Sequence, residues 1–136
     1  MNKIYFILCL SLGFLYSNDS PIWDEIPSQS IDEDCENGCI DGEFSFDLED
    51  FVEDPDEDDI ITINEPILLS GEASVSIDEF ILKVIPGFNY FGDIVIELTA
   101  TDGELSSDAE FDLEVLPVND SPIWDEIPSQ SIDEDC

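Results

Sequence analysis

The sequence predicts an all-β fold, an antiparallel two-sheet sandwich of about seven strands. Apolar residues recur at every second position in short runs, which is the period of a strand with one buried face. Gly, Pro, Asp and Asn separate these runs, as turns require. No window of the 136 residues carries an apolar stripe at helical spacing. Six or seven such strands within about 100 residues are typical of a sandwich.

The predicted strands follow one another along the chain. The first, residues 22–31 (IWDEIPSQSI), is flanked and interrupted by proline, which suits an edge strand because proline cannot donate to a strand ladder. The alternating apolar positions of the later runs are Phe44, Phe46 and Leu48; Ile61 and Ile63; Ala73, Val75 and Ile77; Phe80, Leu82 and Val84; Ile94, Ile96, Leu98 and Ala100; and Ala109, Phe111, Leu113 and Val115.

An identical 18-residue block occurs twice, at residues 18–35 and 119–136. Such a block gives the period of a tandem array. We therefore predict one complete repeat over residues 18–118 and the start of a second, truncated repeat over residues 119–136. The sequence is expected to be a fragment of a longer repetitive protein.

The first 17 residues have the pattern of a secretory signal peptide. Lys3 precedes the apolar run of residues 4–16, and Ser17 stands before a strongly acidic segment. A membrane anchor is the alternative, but about 20 apolar residues are needed to span a bilayer. The sequence thus predicts export to the extracellular space or cell surface, with no membrane span.

The charge of the chain excludes several classes of function. Asp and Glu number 36 against two cations, Lys3 and Lys83, and the net charge is -34. Nucleic acids and anionic membranes need clustered Lys or Arg, which are absent. The lack of His and Arg also removes most acyl, phosphoryl and hydride chemistry, so we predict that the chain is not an enzyme. Divalent-cation binding and adaptation to a salty medium both account for the acidity.

The densest acidic stretch is residues 47–59, DLEDFVEDPDEDD. Asp54, Asp56 and Asp58 place alternate carboxylates in one loop, and calcium takes six to eight oxygen ligands. An EF-hand does not fit, because Asp59 stands where that loop needs glycine and the flanks are strands. A solvated acidic loop is the alternative to a calcium site here.

Two further acidic elements favour calcium. Asp102 closes a predicted strand before the Gly103 turn, and Asn119 with Asp120 offers side-chain oxygens at the junction of the two repeats. Acidic clusters at the loops and junctions of a sandwich repeat are the arrangement that calcium between domains would need.

Taken together, these segments resemble cadherin-like repeats, in particular those of large bacterial surface proteins. Residues 100–124 (ATDGELSSDAEFDLEVLPVNDSPIW) resemble the end of such a repeat. Residues 51–59 (FVEDPDEDD) resemble its acidic loop, residues 32–35 (DEDC) the end of its first strand, and residues 86–92 (PGFNYFG) a bacterial signature. The resemblance covers nearly all of residues 18–136. It implies an Ig-like sandwich in tandem, with calcium stiffening the junctions.

The resemblance also implies a ligand set and partners. Asp54, Asp56 and Asp102 would serve the N-terminal junction with Asn18 and Asp19 of the linker, and Glu33, Asn119 and Asp120 the C-terminal junction. Asp58 is included as a candidate in the same loop. Neighbouring repeats of the same chain are the expected partners, with another cell-surface protein or a glycan as adhesion target. The PGFNYFG segment replaces the LDRE segment of animal cadherins, which favours one or two ions per junction.

Cys35 and Cys39 are predicted to form a local disulfide in an exported chain. The repeat makes Cys136 equivalent to Cys35, so its partner would lie in the next repeat. A metal site would need more soft ligands than two thiols. An intermolecular bridge through Cys136 stays open.

The predicted function is a calcium-binding structural and adhesive repeat. Two alternatives remain: a carbohydrate-binding accessory domain of a secreted hydrolase, and an acidic halophilic spacer without specific ions. The carbohydrate alternative would show exposed aromatic residues on one sheet face. Trp23 and its copy Trp124 are interpreted as packing residues, since large aromatic side chains are usually buried.

Overall fold

A computed structural model describes residues 17–35 and 38–135. The predicted signal peptide therefore lies outside the described residues apart from Ser17, and so does Cys136. In the described part no helix has the length and apolar character needed to cross a bilayer. The strands are β1 (Ile22–Trp23), β2 (Gln29–Asp32), β3 (Cys39–Ile40), β4 (Glu43–Asp47), β5 (Val52–Glu53), β6 (Thr62–Ile63), β7 (Ile67–Ser70), β8 (Ala73–Asp78), β9 (Ile81–Pro86), β10 (Gly92–Thr101) and β11 (Ser106–Leu116).

Two main sheets form the predicted sandwich. One has the order β2-β11-β10-β6, with β7 also paired to β10, and the other has the order β3-β4-β9-β8. A short β1-β5 ribbon lies beside them. Among the described strands every pair is antiparallel except β2 with β11, which is parallel from Gln29 opposite Leu113 to Asp32 opposite Leu116. The predicted all-β sandwich is thus confirmed, with one parallel edge.

The core lies between the two sheets and is filled by the alternating apolar side chains of the strands. Ile94, Ile96 and Leu98 on β10 are all 0% exposed. Phe111 on β11 is also fully buried, and its ring centroid lies 6.1 Å from that of Phe44 and 5.1 Å from that of Phe46. Burial of such side chains contributes about 1.5–3 kcal/mol each.

The first predicted strand, residues 22–31, is divided in the structure. β1 pairs with β5, whereas β2 pairs with β11 in another sheet. Residues 24–28 between them include Pro27, which has no N–H to give to a ladder. The strands β3, β5 and β7 were not predicted, because β3 and β5 have two residues each and β7 (ILLS) does not alternate.

The sandwich has two distinct ends. The acidic end contains the turn of residues 102–105 between β10 and β11, together with the linker of residues 17–20 and the loop of residues 54–59 after β5. The exit end contains the last residues of β2 and β11. After β11 the chain continues into residues 117–135. Because β2 and β11 are parallel, the two copies of the repeated block begin at opposite ends of the sandwich.

Candidate metal centre

Three aspartates from two segments of the chain meet at the acidic end. Each of Asp54, Asp59 and Asp102 offers a carboxylate oxygen, and these oxygens all lie within 4.8 Å of one another. Asp54 and Asp59 belong to the loop after β5, and Asp102 follows the last residue of β10. Strand pairing therefore brings together carboxylates that are more than 40 positions apart in sequence.

Asp54 carries the most informative atom of the group. Its Oδ1 accepts a hydrogen bond from the backbone N–H of Asp56 at 2.9 Å, whereas its Oδ2 is buried and has no hydrogen-bond partner among the described residues. A buried carboxylate oxygen without a donor is costly, and buried charges are normally paired or bound to a metal. A cation between the three aspartates would supply the missing partner.

Asp102 is held in its ionised form by the turn that it begins. Its Oδ1 accepts hydrogen bonds from the backbone N–H groups of Leu105 at 2.7 Å and Glu104 at 2.6 Å. These bonds lower the pKa of Asp102, with a smaller contribution from the Asn18 side chain. The Asn18 Nδ2 group donates to Asp102 Oδ2 at 3.2 Å. One carboxylate thus orders the turn and also binds the linker.

Asp59 is exposed and experiences the repulsion within the cluster. Partial desolvation raises its pKa, and so do the negative charges of Asp54, Asp56, Asp102 and Glu104. The backbone N–H of Asp59 donates to the carbonyl oxygen of Asp56 at 3.0 Å, which closes a turn and directs the chain back toward Asp54. A divalent cation here would remove the repulsion that raises this pKa.

Asp56 connects the loop to the linker. Its Oδ2 accepts a hydrogen bond from the backbone N–H of Asp19 at 2.8 Å. An open cavity of about 390 Å³ adjoins this contact. The residues around it are Ser17, Asn18, Asp56, Glu57, Asp58 and Asp59. The linker is therefore fixed to the loop by Asp56 and to the β10–β11 turn by Asp102.

The structure brings together some of the predicted ligands and separates others. Asp54 and Asp102 share the cluster, and Asp56 lies beside it with the linker. Asp58 lines the cavity but does not belong to the three-aspartate group, whose third member is Asp59. Alternate spacing predicts Asp58 only if the loop is extended. The loop instead turns between Asp56 and Asp59, and Asp59 takes the third place in the cluster. In the sequence, the run of four acidic residues at 56–59 was the signal that Asp59 was also a candidate.

The remaining predicted ligands lie at the exit end. Glu33 Oε1 accepts a hydrogen bond from the backbone N–H of Val118 at 2.7 Å, and the N–H of Glu33 donates to the carbonyl of Leu116 at 2.9 Å. Asn119 and Asp120 follow directly and are exposed, outside any strand. Glu33 thus holds the chain just before these two residues, and no second cluster of three carboxylates forms within residues 17–35 and 38–135.

Cys35 and Cys39 form a disulfide with a Cα–Cα distance of 5.3 Å, the pairing that the sequence predicts. Cys35 follows β2 of one main sheet, and Cys39 begins β3 of the other. Both half-buried side chains pack against the core. The disulfide therefore joins the two sheets at the exit end, close to the Glu33 contact with the departing chain.

The donor set favours a hard cation. Carboxylate and amide oxygens suit calcium, whereas zinc prefers nitrogen and thiolate ligands. The chain has no His, and Cys35 and Cys39 are joined in the disulfide. The three aspartates belong to two segments of the sandwich, and the linker is hydrogen-bonded to both segments through Asp102 and Asp56, so an ion at this position would hold the segments to which the linker is attached.

Protons and calcium are expected to compete for Asp59. As the pH falls from 7 toward the ordinary carboxyl range near about 4, a raised pKa lets Asp59 take up a proton early, and a protonated carboxyl is a poor ligand. Calcium affinity measured by titration calorimetry should therefore fall across this window. Asp59→Asn should remove that part of the pH dependence and Asp58→Asn should retain it. Equal slopes for the two variants would contradict the assignment.

Without calcium, protonation of Asp59 has the opposite effect and stabilises the folded chain. The folded-state pKa of Asp59 lies above its unfolded value of 3.8, so protonation favours the folded state. In chelator, the stability contributed by Asp59 should be present at low pH and be lost as the pH rises through its folded-state pKa. Asp102 has the opposite sign, because its lowered pKa gives stability that is lost only as the pH falls below 3.8 and through its folded-state value.

No protein-family model and no curated protein matches the chain. Among solved structures it is similar to part of the endo-fucoidan hydrolase MfFcnA4 from glycoside hydrolase family 107, with a TM-score of 0.51 and 22% sequence identity. The match covers 72% of this chain and 14% of that one, and a variant of the same hydrolase gives the same values. At this identity the likeness shows the fold alone.

Proposed function

We propose that the chain is a calcium-binding structural repeat of an exported protein, of the cadherin-like type, in which calcium fixes the linker to the acidic end of the sandwich. The observation that carries the proposal is the cluster in which Asp54, Asp59 and Asp102 each offer a carboxylate oxygen within 4.8 Å of one another, together with the buried, unpartnered Oδ2 of Asp54. Calcium would relieve the repulsion among these carboxylates, and it would restrain the linker because Asp102 accepts a hydrogen bond from Asn18.

Calcium would act by joining two segments, the loop after β5 and the β10–β11 turn, whose carboxylates otherwise repel one another. Without the ion, the linker is held by hydrogen bonds from Asn18 to Asp102 and from Asp19 to Asp56. These contacts are exposed or half-buried, so each contributes only about 0.5–1.5 kcal/mol. An ion bound to Asp54, Asp59 and Asp102 would hold the loop and the turn to which the linker is attached. The direction of the linker would then be fixed relative to the sandwich.

Export is part of the same proposal. Disulfides persist in oxidising compartments, and Cys35–Cys39 is consistent with such a location. Extracellular modules bind calcium with dissociation constants of about 0.1–1 mM. A site of that affinity would be filled outside a cell and empty inside it. The adhesive role and its neighbouring-repeat partners follow from the resemblance and belong to the proposal.

The test is thermal unfolding in calcium and in EDTA. At ten times its dissociation constant, one ion is expected to stabilise the folded chain by about 1.4 kcal/mol, which raises the melting temperature by several degrees. Asp54→Asn should remove most of this response. The matched control is Asp112→Asn, which changes an exposed carboxylate on β11 and should keep the response.

Two outcomes would count against this function. Identical melting in calcium and EDTA would refute calcium binding. An equal gain from sodium chloride at matched ionic strength would favour the halophilic spacer, because screening alone does not depend on which cation is present. A calcium response retained in Asp54→Asn would place the ion elsewhere.

A carbohydrate-binding accessory domain is the second candidate, and exposed aromatic residues at the exit end favour it. Phe88 is 94% exposed and Phe91 is 61% exposed, both in the loop between β9 and β10. The solved structure that shares this fold is named as a fucoidan hydrolase, which makes fucoidan the ligand to test. However, no large exposed aromatic residue lies on a strand in the described part of the chain. Fucoidan binding that Phe88→Ala abolishes would favour this candidate.

A further inference from the structure

The strand β8 is an open edge of the sandwich. β9 pairs with it on one side, and no described strand pairs with it on the other. β8 has six residues, whereas the other described edge strands of the two main sheets, β2, β3, β6 and β7, have two to four. Proteins commonly protect such edges with proline or charged residues. β8 (ASVSID) has no proline, and its one charged residue, Asp78, forms an ion pair with Lys83 at 3.5 Å. This edge can therefore accept a further strand.

The backbone groups that this edge presents follow from the ladder with β9. The N–H of Gly87 donates to the carbonyl oxygen of Glu72, one residue before β8, at 2.8 Å. Because backbone groups alternate in direction along an antiparallel strand, every second residue from Glu72 points to β9 and the residues between them point outward. The outward residues are Ala73, Val75 and Ile77. Pro86, which has no N–H, stands opposite Ala73, as this assignment requires. The described part of the chain offers no hydrogen bond to these outward groups.

An apolar groove lies beside this edge, in the seam between the two main sheets. Its volume is about 380 Å³. One wall comes from β6 and the residue before it, and the other from β8 and the turn after it; the lining residues are Ile61, Thr62, Ile63, Ile77, Glu79 and Phe80. The four apolar side chains of this set are half-buried. Residues opposite one another in a ladder share a face of the sheet, so a strand added to β8 would direct every second side chain toward the groove.

We propose that β8 and this groove, together called the edge site, bind an extended, basic segment of a partner protein, which pairs with β8 as an additional strand. The outward groups of β8 supply the backbone hydrogen bonds, and the groove takes apolar side chains at alternate positions. The side chains in between lie on the outer face beside Ser74 and Ser76, where the net charge of -34 favours Lys or Arg. The recognised pattern is therefore alternating apolar and basic residues.

A second copy of this chain fits the edge site less well than a basic segment does. In the two-fold register that pairs all the outward residues, Val75 stands opposite its own copy, and Glu72 stands opposite Asp78 at each end of the ladder. Like charges in such positions are destabilising. Lys83 neutralises one of the two carboxylates, so each end keeps a surplus of negative charge. The net charge of -34 on each chain adds further repulsion, whereas a basic segment is attracted.

The test uses a blocked synthetic peptide, acetyl-Lys-Val-Lys-Ile-Lys-Val-Lys-amide, and amide hydrogen exchange of the whole chain measured by NMR. At about ten times its dissociation constant, the peptide should slow exchange of the outward amides of Ala73, Val75 and Ile77 about tenfold, since they exchange only while the site is empty. The amides of Ser74 and Ser76 point to β9 and should change less. A peptide that does not bind, or that binds without slowing the outward amides, would overturn the proposal.

Two control peptides separate strand addition from general attraction between charges. Acetyl-Lys-Lys-Lys-Lys-Val-Ile-Val-amide has the same composition without the alternation, and it should bind at least about tenfold more weakly because its apolar side chains cannot enter the groove from one strand face. Acetyl-Glu-Val-Glu-Ile-Glu-Val-Glu-amide keeps the alternation and reverses the charge, and it should not bind at the same concentration. Equal affinity of either control and the alternating basic peptide would overturn the proposal.

Variants of the chain locate the binding. Val75→Pro removes one outward N–H and no bond to β9, and it should weaken the alternating basic peptide about tenfold. Ile61→Ser removes an apolar wall of the groove and should also weaken it. Leu69→Ser is the matched control, because it removes a 48% exposed side chain of β7 outside the groove and should leave the affinity unchanged. If Val75→Pro does not fold, Ile61→Ser decides: an affinity equal to that of Leu69→Ser would overturn the proposal.

Sedimentation of the original chain without peptide tests the edge site for self-pairing. A monomer at all concentrations is expected, because repulsion opposes pairing of β8 with a second copy. Dimers that Val75→Pro abolishes would assign the edge to a second copy of the chain and overturn the proposal.

Discussion

Phe111→Ala is expected to lower the free energy of unfolding by about 3–5 kcal/mol, the usual cost of removing a buried aromatic side chain. Phe111 is 0% exposed, and its ring lies against Phe44 and Phe46 of the facing sheet. Its removal would leave a cavity between the two sheets that the surrounding strands can close only in part. Small domains have about 5–15 kcal/mol in total, so much of the stability would be lost.

Urea unfolding measures this change. The midpoint should fall while the denaturant slope stays the same, since the unfolded chain exposes almost the same surface. Phe88→Ala is the matched control, because the same side chain is removed from a position that is 94% exposed. The control should stay within about 0.5 kcal/mol of the original chain. Equal losses for the two variants would show that Phe111 does not hold the sheets together.

Loss of the Cys35–Cys39 disulfide is expected to destabilise the sandwich by about 2 kcal/mol, a value at the low end because the closed loop is short. Its main structural effect should be at the exit end. The disulfide joins β2 to β3 beside the Glu33 contact with Val118. Hydrogen exchange at the Val118 amide should accelerate when the disulfide is removed, because the clamp on the departing chain loosens.

Two independent ways of opening the disulfide should agree. Reduction by a dithiol and the variant Cys35→Ser with Cys39→Ser should lower the melting temperature by the same amount, and the dithiol should not affect the variant further. Cys136→Ser is the control and should leave the melting temperature unchanged. Identical melting temperatures with and without the dithiol would show that the disulfide does not stabilise the sandwich at the exit end.

The strands with one apolar face were predictable because their burial follows from local pattern. Ile94, Ile96 and Leu98 alternate with more polar positions, and all three are fully buried as expected. The pairing of the strands with one another was less predictable. Residues 22–31 look like one strand, and the structure divides them between β1 and β2 because their hydrogen-bond partners, β5 and β11, lie in different sheets.

The residues of the candidate metal centre were also predictable only in part. Asp54 and Asp102 could be predicted, since each follows a strand where loops meet at an end of a sandwich. The third aspartate could not be predicted, because Asp58 and Asp59 are adjacent and equally acidic. The turn closed by the Asp59 N–H on the Asp56 carbonyl decides between them. A hydrogen bond of that kind depends on where β5 ends and on the linker that packs beside it.

The two copies of the repeated block separate the contribution of the local sequence from that of the fold. The duplication of the block, the all-β class and the alternating apolar positions could be read from the residues alone. The local sequence could not distinguish Ile31 from Ile132, whose flanking residues are identical. In the folded chain Ile31 is buried in the core and Ile132 is exposed. They differ because burial requires a second surface, and the edge of β11 pairs with the copy that begins at the acidic end.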